Sequence, residues 1–241
     1  MPATIPSFVR SDLVRLGVSL DAAALDRLAR YLDHMLDANR HVNLTAVRDA
    51  EQAWRRHIID SLTVLPGLDH LPPGARVVDV GSGGGLPGVP IAIALPKLSV
   101  TLIEATGKKI RFLENCRQSL TLDNLTVVQG RAETLGQNPA HRARYDVATC
   151  RAIGPMNVLL EYLLPLVKTG GRVLAMKGPS VANELDQAAD ALAILGAGEI
   201  EVYQAYPEGF NIDTVIVCIT KHAATPGKYP RLPGVPKQSP L

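Results

Sequence analysis

The chain has 241 residues, 46% of them hydrophobic, with a formal net charge of only +2. That length can bury a large core, as one domain or one domain with an extension, and the near balance of charge excludes nucleic-acid binding through bulk charge alone. Cys116, Cys150 and Cys218 stand far apart, with no C-x-x-C pair and no histidines at metal-ligand intervals, so reduced buried thiols and no metal site are expected.

The chain opens without a basic-then-apolar leader and holds no apolar run near the roughly 20 residues that span a bilayer. A cytoplasmic protein with no membrane contact is expected. Ser19 reads as an N-cap with Asp21 in the first turn, and Leu25, Leu28, Leu32, Met35 and Leu36 recur at helical spacing, predicting an amphipathic helix over about 20–39. A polar, irregular stretch covers 41–49. A second helix over about 50–65 carries Trp54, Ile58, Leu62 and Leu65 on one face, and Leu71-Pro72-Pro73-Gly74 then makes a turn. On this helix His57, beside Arg56 and Asp60, reads as a packed histidine held by Asp60 at i+3.

From Arg76 onward, apolar runs, turns and helices alternate. Strands are predicted near 77–80, 100–103, 126–128, 146–150, 172–176, 200–205 and 214–220, and helices near 88–95, 107–121, 156–168 and 181–194. The alternation implies a parallel sheet covered on both faces. The last two strands are joined by a loop containing Pro207, Gly209 and Asn211, so they should pair as a hairpin. That hairpin separates a seven-stranded methyltransferase sheet from a dinucleotide-binding sheet, which would repeat its mononucleotide half. The fold class is therefore α/β, Rossmann-like, with an N-terminal helical extension. The predicted organisation is 1–74 helical extension, 75–220 catalytic domain and 221–241 basic, Pro-rich tail.

The residues that carry chemistry begin at the first strand. Val77-Val78-Asp79-Val80 runs into Gly81-Ser82-Gly83-Gly84-Gly85-Leu86-Pro87-Gly88, a turn whose amides a ligand can approach without a Cβ in the way. Gly83, Gly85 and Gly88 also fit the dinucleotide spacing, with Glu104 about twenty residues on at the end of the second strand. NAD(P) and S-adenosyl-L-methionine therefore compete. Asp79 favours the second, because a carboxylate there suits a methionine ammonium and repels a pyrophosphate. Pro87 and the close-set glycines make a wide turn that suits a small sulfonium ligand. Gln129-Gly130-Arg131-Ala132-Glu133, just past the third strand, fits a polar grip on an adenine edge.

Two cations face the same edge. Arg151 follows the fourth strand, where an open α/β sheet places its crevice, and suits a cofactor carboxylate or a target phosphate; Lys177 follows the fifth and suits the guanine or its phosphate. Lys108, Lys109 and Arg111 read as a solvated helix face. The tail holds Lys221, Lys228, Arg231 and Lys237 and no acid, and its five prolines predict an extended segment that follows a phosphate backbone, with Tyr229 stacking on a base.

Over nearly its whole length the sequence resembles the ribosomal RNA small-subunit methyltransferase G family, also called glucose-inhibited-division protein B. The resemblance rests on 43–48, Arg56-His57-Ile58-Ile59-Asp60-Ser61-Leu62, the glycine segment 78–88, Lys108-Lys109-Ile110-Arg111-Phe112-Leu113, Arg131-Ala132-Glu133, Cys150-Arg151-Ala152 and Lys177-Gly178. It implies methyl transfer from S-adenosyl-L-methionine to guanine N7 in the decoding-region loop of 16S ribosomal RNA. It also implies cofactor contacts at Gly81, Leu86, Ala132, Glu133 and Arg151. With the reading above, the expected cofactor set is Asp79, Gly81, Gly83, Gly85, Leu86, Glu104, Ala132, Glu133 and Arg151. The expected RNA contacts are Arg56, Arg151, Lys177, Lys228 and Arg231. No general base is expected, and a monomer acting on a ribosomal particle is. One departure is visible: an arginine usual before the last strand is absent, and Gly209-Phe210-Asn211-Ile212-Asp213 stands there. A dehydrogenase, a small-molecule methyltransferase and a non-catalytic RNA-binding module remain as alternatives.

Overall fold

A computed structural model describes residues 5–210 and 212–241. Ser7–Arg15 (α1), unmarked by any strong sequence signal, buries Val9 and Leu13. Ala22–Val42 (α2) follows the predicted amphipathic stripe, but its cap is Asp21, which accepts from the Ala24 amide at 2.7 Å, and not Ser19. It ends at Asn43, in the left-handed region at φ +55°. The predicted single helix over 50–65 is instead Ala50–Ala53 (α3), a π-helical segment Trp54–Ile59 and Asp60–Leu62 (α4).

The sheet strands are Arg76–Val80 (β1), Ser99–Glu104 (β2), Leu125–Gln129 (β3), Tyr145–Arg151 (β4), Val167–Lys177 (β5), Ala197–Gln204 (β6) and Val215–Lys221 (β7), in the order β3-β2-β1-β4-β5-β7-β6. The first five run parallel. β7 enters antiparallel between β5 and β6, and β6 and β7 pair as the predicted hairpin. β5 starts earlier than predicted because Val167 pairs with Tyr145 ahead of a register break.

Gly88–Ala94 (α5), Gly107–Ser119 (α6), Ala132–Gln137 (α7), Met156–Leu163 (α8), Val181–Asp186 (α9) and Ala189–Leu195 (α10) cover the two faces, and Val235–Gln238 (α11) lies near the C-terminus. α8 stops short of its predicted end because Pro165 has no amide to continue it. α7 is too short to leave a helical period in sequence. One apolar core joins Leu28 and Met35 of α2 and Trp54 to Val77, Ile91 and Leu102, so the N-terminal helices share the core of one sheet face. The other face packs Val78, Ala148 and Val173 against Leu159 and Leu163 of α8.

The tail corrects two expectations. Lys221 is part of β7 and is buried, its ammonium donating to the Leu164 and Val167 carbonyls at 2.7 Å each; burial lowers its pKa to about 8. Residues beyond it are not an extended strap: Thr225 and Tyr229 are buried against the body of the protein. Tyr229 therefore cannot stack on a base as predicted. Among the described residues no helix is long and apolar enough to cross a membrane.

Candidate active site

The site is assembled where β1, β2 and β3 end. After Val80 the chain turns through Gly81 at φ +67°, where an added Cβ would stand 3.0 Å from Ile153 Cδ1. The Gly81 and Ser82 amides donate to the Ile103 carbonyl at 2.8 and 3.1 Å, tying the turn to β2. Glu104 then clasps it. One carboxylate oxygen accepts from the Gly83 amide at 3.0 Å and the other from Thr106 at 2.8 Å. A carboxylate so fixed still has lone pairs for further donors such as ribose hydroxyls.

Beyond β3, Gly130 and the first turn of α7 make the opposing wall. Gly81, Glu104, Gly130, Ala132 and Glu133 line a cavity of about 340 Å³, which Ile153 and Tyr162 reach from the β4 side. The volume lies in the range of small-molecule sites. An orienting carboxylate facing a slot of small residues fits the adenosyl half of S-adenosyl-L-methionine.

Five other residues of the predicted cofactor set lie outside this lining. Asp79 is fully buried beneath the loop, because the Gly88 amide captures its Oδ2 at 3.0 Å; Oδ1 has no partner. Burial pushes this carboxyl up to about 7. Gly83 contributes its amide to Glu104. Gly85, at φ +97°, has Val89, Leu113 and Tyr31 against the space a Cβ would fill, so it serves packing with α2 and α6. Tyr31 also donates to the Gly84 carbonyl at 2.6 Å. Leu86 belongs to the apolar core.

Arg151 faces a second cavity, of about 260 Å³, which shares Ile153 with the first. Its guanidinium donates to the Arg56 carbonyl at 2.6 Å, to Asp60 Oδ2 at 2.9 Å and to His57 Nδ1 at 3.3 Å. Asp60 Oδ1 accepts from the Tyr206 hydroxyl at 3.0 Å. Because an arginine only donates, His57 Nδ1 accepts and Nε2 carries the proton, donating to Thr45 Oγ1 at 2.7 Å. So His57 is a packed residue, but its partners are Thr45 and Arg151, not Asp60. Burial and the Arg151 charge lower its pKa. A π-helical segment carries Arg56 and His57, a distortion that recurs at functional sites. Across the cavity Lys177 donates to the Gly154 carbonyl at 2.8 Å and pairs with Glu184 at 2.5 Å.

The remaining expected RNA contacts scatter. Arg56 is exposed at this edge, and Lys228 is exposed above the Tyr229 ring. Arg231 is committed to Glu161, with two contacts of 2.9 and 2.6 Å to its two oxygens. Asn211, in the loop that departs from the family pattern, lies outside the described residues. Sequence reasoning named Arg131 only as part of its motif and missed Thr106, which flanks Glu104, and Tyr162 and Tyr206, which reach the site from distant segments with no local signal. Among the described residues, no group of three or more His, Cys, Asp or Glu is placed to hold a metal ion.

The strand order, the antiparallel seventh strand and a cavity at the carboxyl edge define a Rossmann-like class I methyltransferase fold. Solved structures share it: a predicted O-methyltransferase from Agrobacterium tumefaciens aligns with TM-score 0.51 at 20% identity, covering 68% of this chain and 81% of that one. Fibrillarin from Aeropyrum pernix, solved with natively bound S-adenosyl-L-methionine, aligns with TM-score 0.50 at 16% identity, covering 66% and 73%. A family model described as rRNA small subunit methyltransferase G matches residues 24–208. Curated relatives bearing that name include one from Leuconostoc citreum, 39% identical over 242 residues and 99% of both chains. Another, from Chloroflexus aggregans, is 41% identical over 225 residues and 93% of both chains. The chain belongs to the rRNA small subunit methyltransferase G family.

Proposed function

We propose that this protein transfers the methyl group of S-adenosyl-L-methionine to N7 of a guanine in the decoding-region loop of 16S ribosomal RNA, acting as a cytoplasmic monomer on a ribosomal particle. The observation that carries this reading is the pair of adjoining cavities: one with an adenosyl-sized slot beside Glu104, the other lined by the ion-paired Arg151 and Lys177 and joined to it at Ile153. When bound, the sulfonium supplies an electrophilic methyl group. Glu104 would hold the ribose, and Ala132 and Glu133 would flank the adenine, with Ile153 lining both this cavity and the one where the target would sit.

Guanine N7 holds a free lone pair, so no group here has to remove a proton before attack. Alignment supplies the acceleration, which in well-oriented reactions is worth about 7–11 kcal/mol. Arg151 and Lys177 hold the nucleotide through its phosphate or its O6 face. The ring becomes positive as the methyl arrives, and nearby RNA phosphates balance that charge. Duplex RNA hides N7 in a deep, narrow groove, so the target loop is single-stranded or locally opened.

Titration calorimetry with S-adenosyl-L-methionine and with NAD tests the cofactor, and incorporation of tritiated methyl into 16S RNA of small subunits lacking the modification tests the substrate. Binding of NAD alone would return the chain to the dehydrogenase reading. Label in RNA that does not map to an N7-methylguanine would sink the assignment of the methylated atom.

A further inference from the structure

The C-terminal segment is tied to one element above all, the short helix α7 that presents Ala132 and Glu133 to the cofactor cavity. Gln137, at its end, donates to the Gly227 and Pro230 carbonyls at 3.1 and 2.9 Å. Pro230 packs so closely on Gly136 that an added Cβ would stand 2.7 Å from the proline ring. Arg142 donates to the Gly136 carbonyl at 2.8 Å and also to the carbonyls of Thr225 and Tyr229, at 2.8 and 2.7 Å. The Gly234 amide donates to Glu133 Oε1 at 3.0 Å, reaching a cavity-lining side chain directly.

The segment has a further anchor on α8. Glu161 on α8 is fully buried, and its carboxylate is met by the Arg231 amide at 2.7 Å and by the Arg231 guanidinium on both oxygens. A buried carboxylate keeps its charge only with such partners, so the segment cannot lift away without stranding it. A basic tail free to follow RNA would leave its arginine unpaired; this one is partly buried and its guanidinium is engaged by Glu161.

We propose that residues 225–234 are a positioning belt for the adenine wall of the cofactor cavity, with Arg231 as its anchor and the Gly234 amide as its grip on Glu133. The inference rests on the cofactor assignment above. Arg231 is a positioning residue: it touches neither cofactor nor RNA, and it acts by holding α7 against a cavity that ligand binding would otherwise have to order.

The test is titration calorimetry with S-adenosyl-L-methionine on the full-length protein, at a temperature well below the unfolding transition. Arg231→Gln is expected to weaken the cofactor Kd about tenfold while KM for the ribosomal particle stays within a factor of two. Glu161→Gln combined with Arg231→Gln leaves no stranded charge, folds where the single variant fails, and should weaken the Kd about threefold. A lowered unfolding temperature with an unchanged Kd in the folded double variant would overturn the belt and leave only a structural strap. A raised KM for the particle with an unchanged Kd would also overturn it and return Arg231 to the RNA. If the unaltered protein itself binds no S-adenosyl-L-methionine, the cofactor reading fails first.

Discussion

The two cavities share Ile153 but are built on opposite plans. The first is walled by backbone: the turn at Gly81, the amides that fix Glu104 and the opening turn of α7, all between residues 81 and 133. The second is walled by ion pairs, Arg151 to Asp60 across 91 positions and Lys177 to the nearby Glu184. A wall fixed by backbone amides has few side chains that must move to admit a ligand, and its α7 side is held in place by residues 225–234. In an ion-paired wall, each cation is already held by a carboxylate that an incoming phosphate must displace or share, so that wall adjusts to its ligand. Under the proposed function this suits a small cofactor on one side and an RNA loop on the other.

The sharpest way to break the backbone-built side is Gly88→Ala. The added methyl would run into Leu102 Cδ2 and stand 2.8 Å from Asp79 Oδ2, with the start of α5 unable to retreat from β1 and β2. Overpacking of this kind costs about 3 kcal/mol. Urea denaturation should show that loss, and calorimetry should show cofactor binding weakened with it. By contrast an added Cβ at Gly83 would meet only the Gly81 carbonyl, at an ordinary contact of 3.8 Å, so a substitution there faces mainly the strain of its positive φ.

These differences explain what was legible in sequence. Glu104 was legible from its place at the end of the second strand, about twenty residues past the glycine loop, whereas Ala132 and Glu133 came from the family resemblance, in a polar segment just past the third strand. Within the same motif, Gly81 and Gly85 read alike. Only packing assigns the first to the cavity and the second to contacts with Tyr31 and Leu113. The hairpin of β6 and β7 was legible because its connecting loop is too short and too broken by Pro207 and Gly209 for a crossover helix. The role of Arg231 was not legible, since a basic residue among prolines reads as exposed until Glu161, 70 positions away, is placed against it. The Asp60–Tyr206 bond was hidden for the same reason.

Asp79 gives a second test, from pH. Burial raises its carboxyl from the usual carboxylate range to about 7, so the folded protein favours the protonated form. The stability this contributes is fully present below about pH 4 and is lost as pH rises through about 7. Asp79→Asn keeps an oxygen for the Gly88 amide and removes the titration. Relative to the variant, the unaltered protein should lose on the order of 2 kcal/mol between pH 5 and 7. Parallel pH profiles of the two proteins in urea would show that Asp79 is ionised, and paired, throughout that range. Bound S-adenosyl-L-methionine should shrink the difference if its ammonium reaches the unpartnered Oδ1.

The ion-paired side is probed by Asp60→Ala, with a smaller effect on stability and a different one on function. The Tyr206 hydroxyl, in a buried side chain, loses its acceptor, and Arg151 loses one of three. Because Arg151 keeps the Arg56 carbonyl and His57, the expected cost is roughly 1–2 kcal/mol, that of one unsatisfied buried group. Cofactor Kd should stay unchanged, since none of the Glu104 wall touches Asp60, whereas KM for the ribosomal particle should rise as Arg151 loses its fixed direction. If cofactor affinity falls instead, the two walls are mechanically one, and the contrast between a rigid donor side and an adjustable acceptor side is wrong. Asp60→Asn separates charge from geometry: it can still accept from Tyr206, so a rise in particle KM with stability nearly intact would assign the effect to the missing carboxylate beside Arg151.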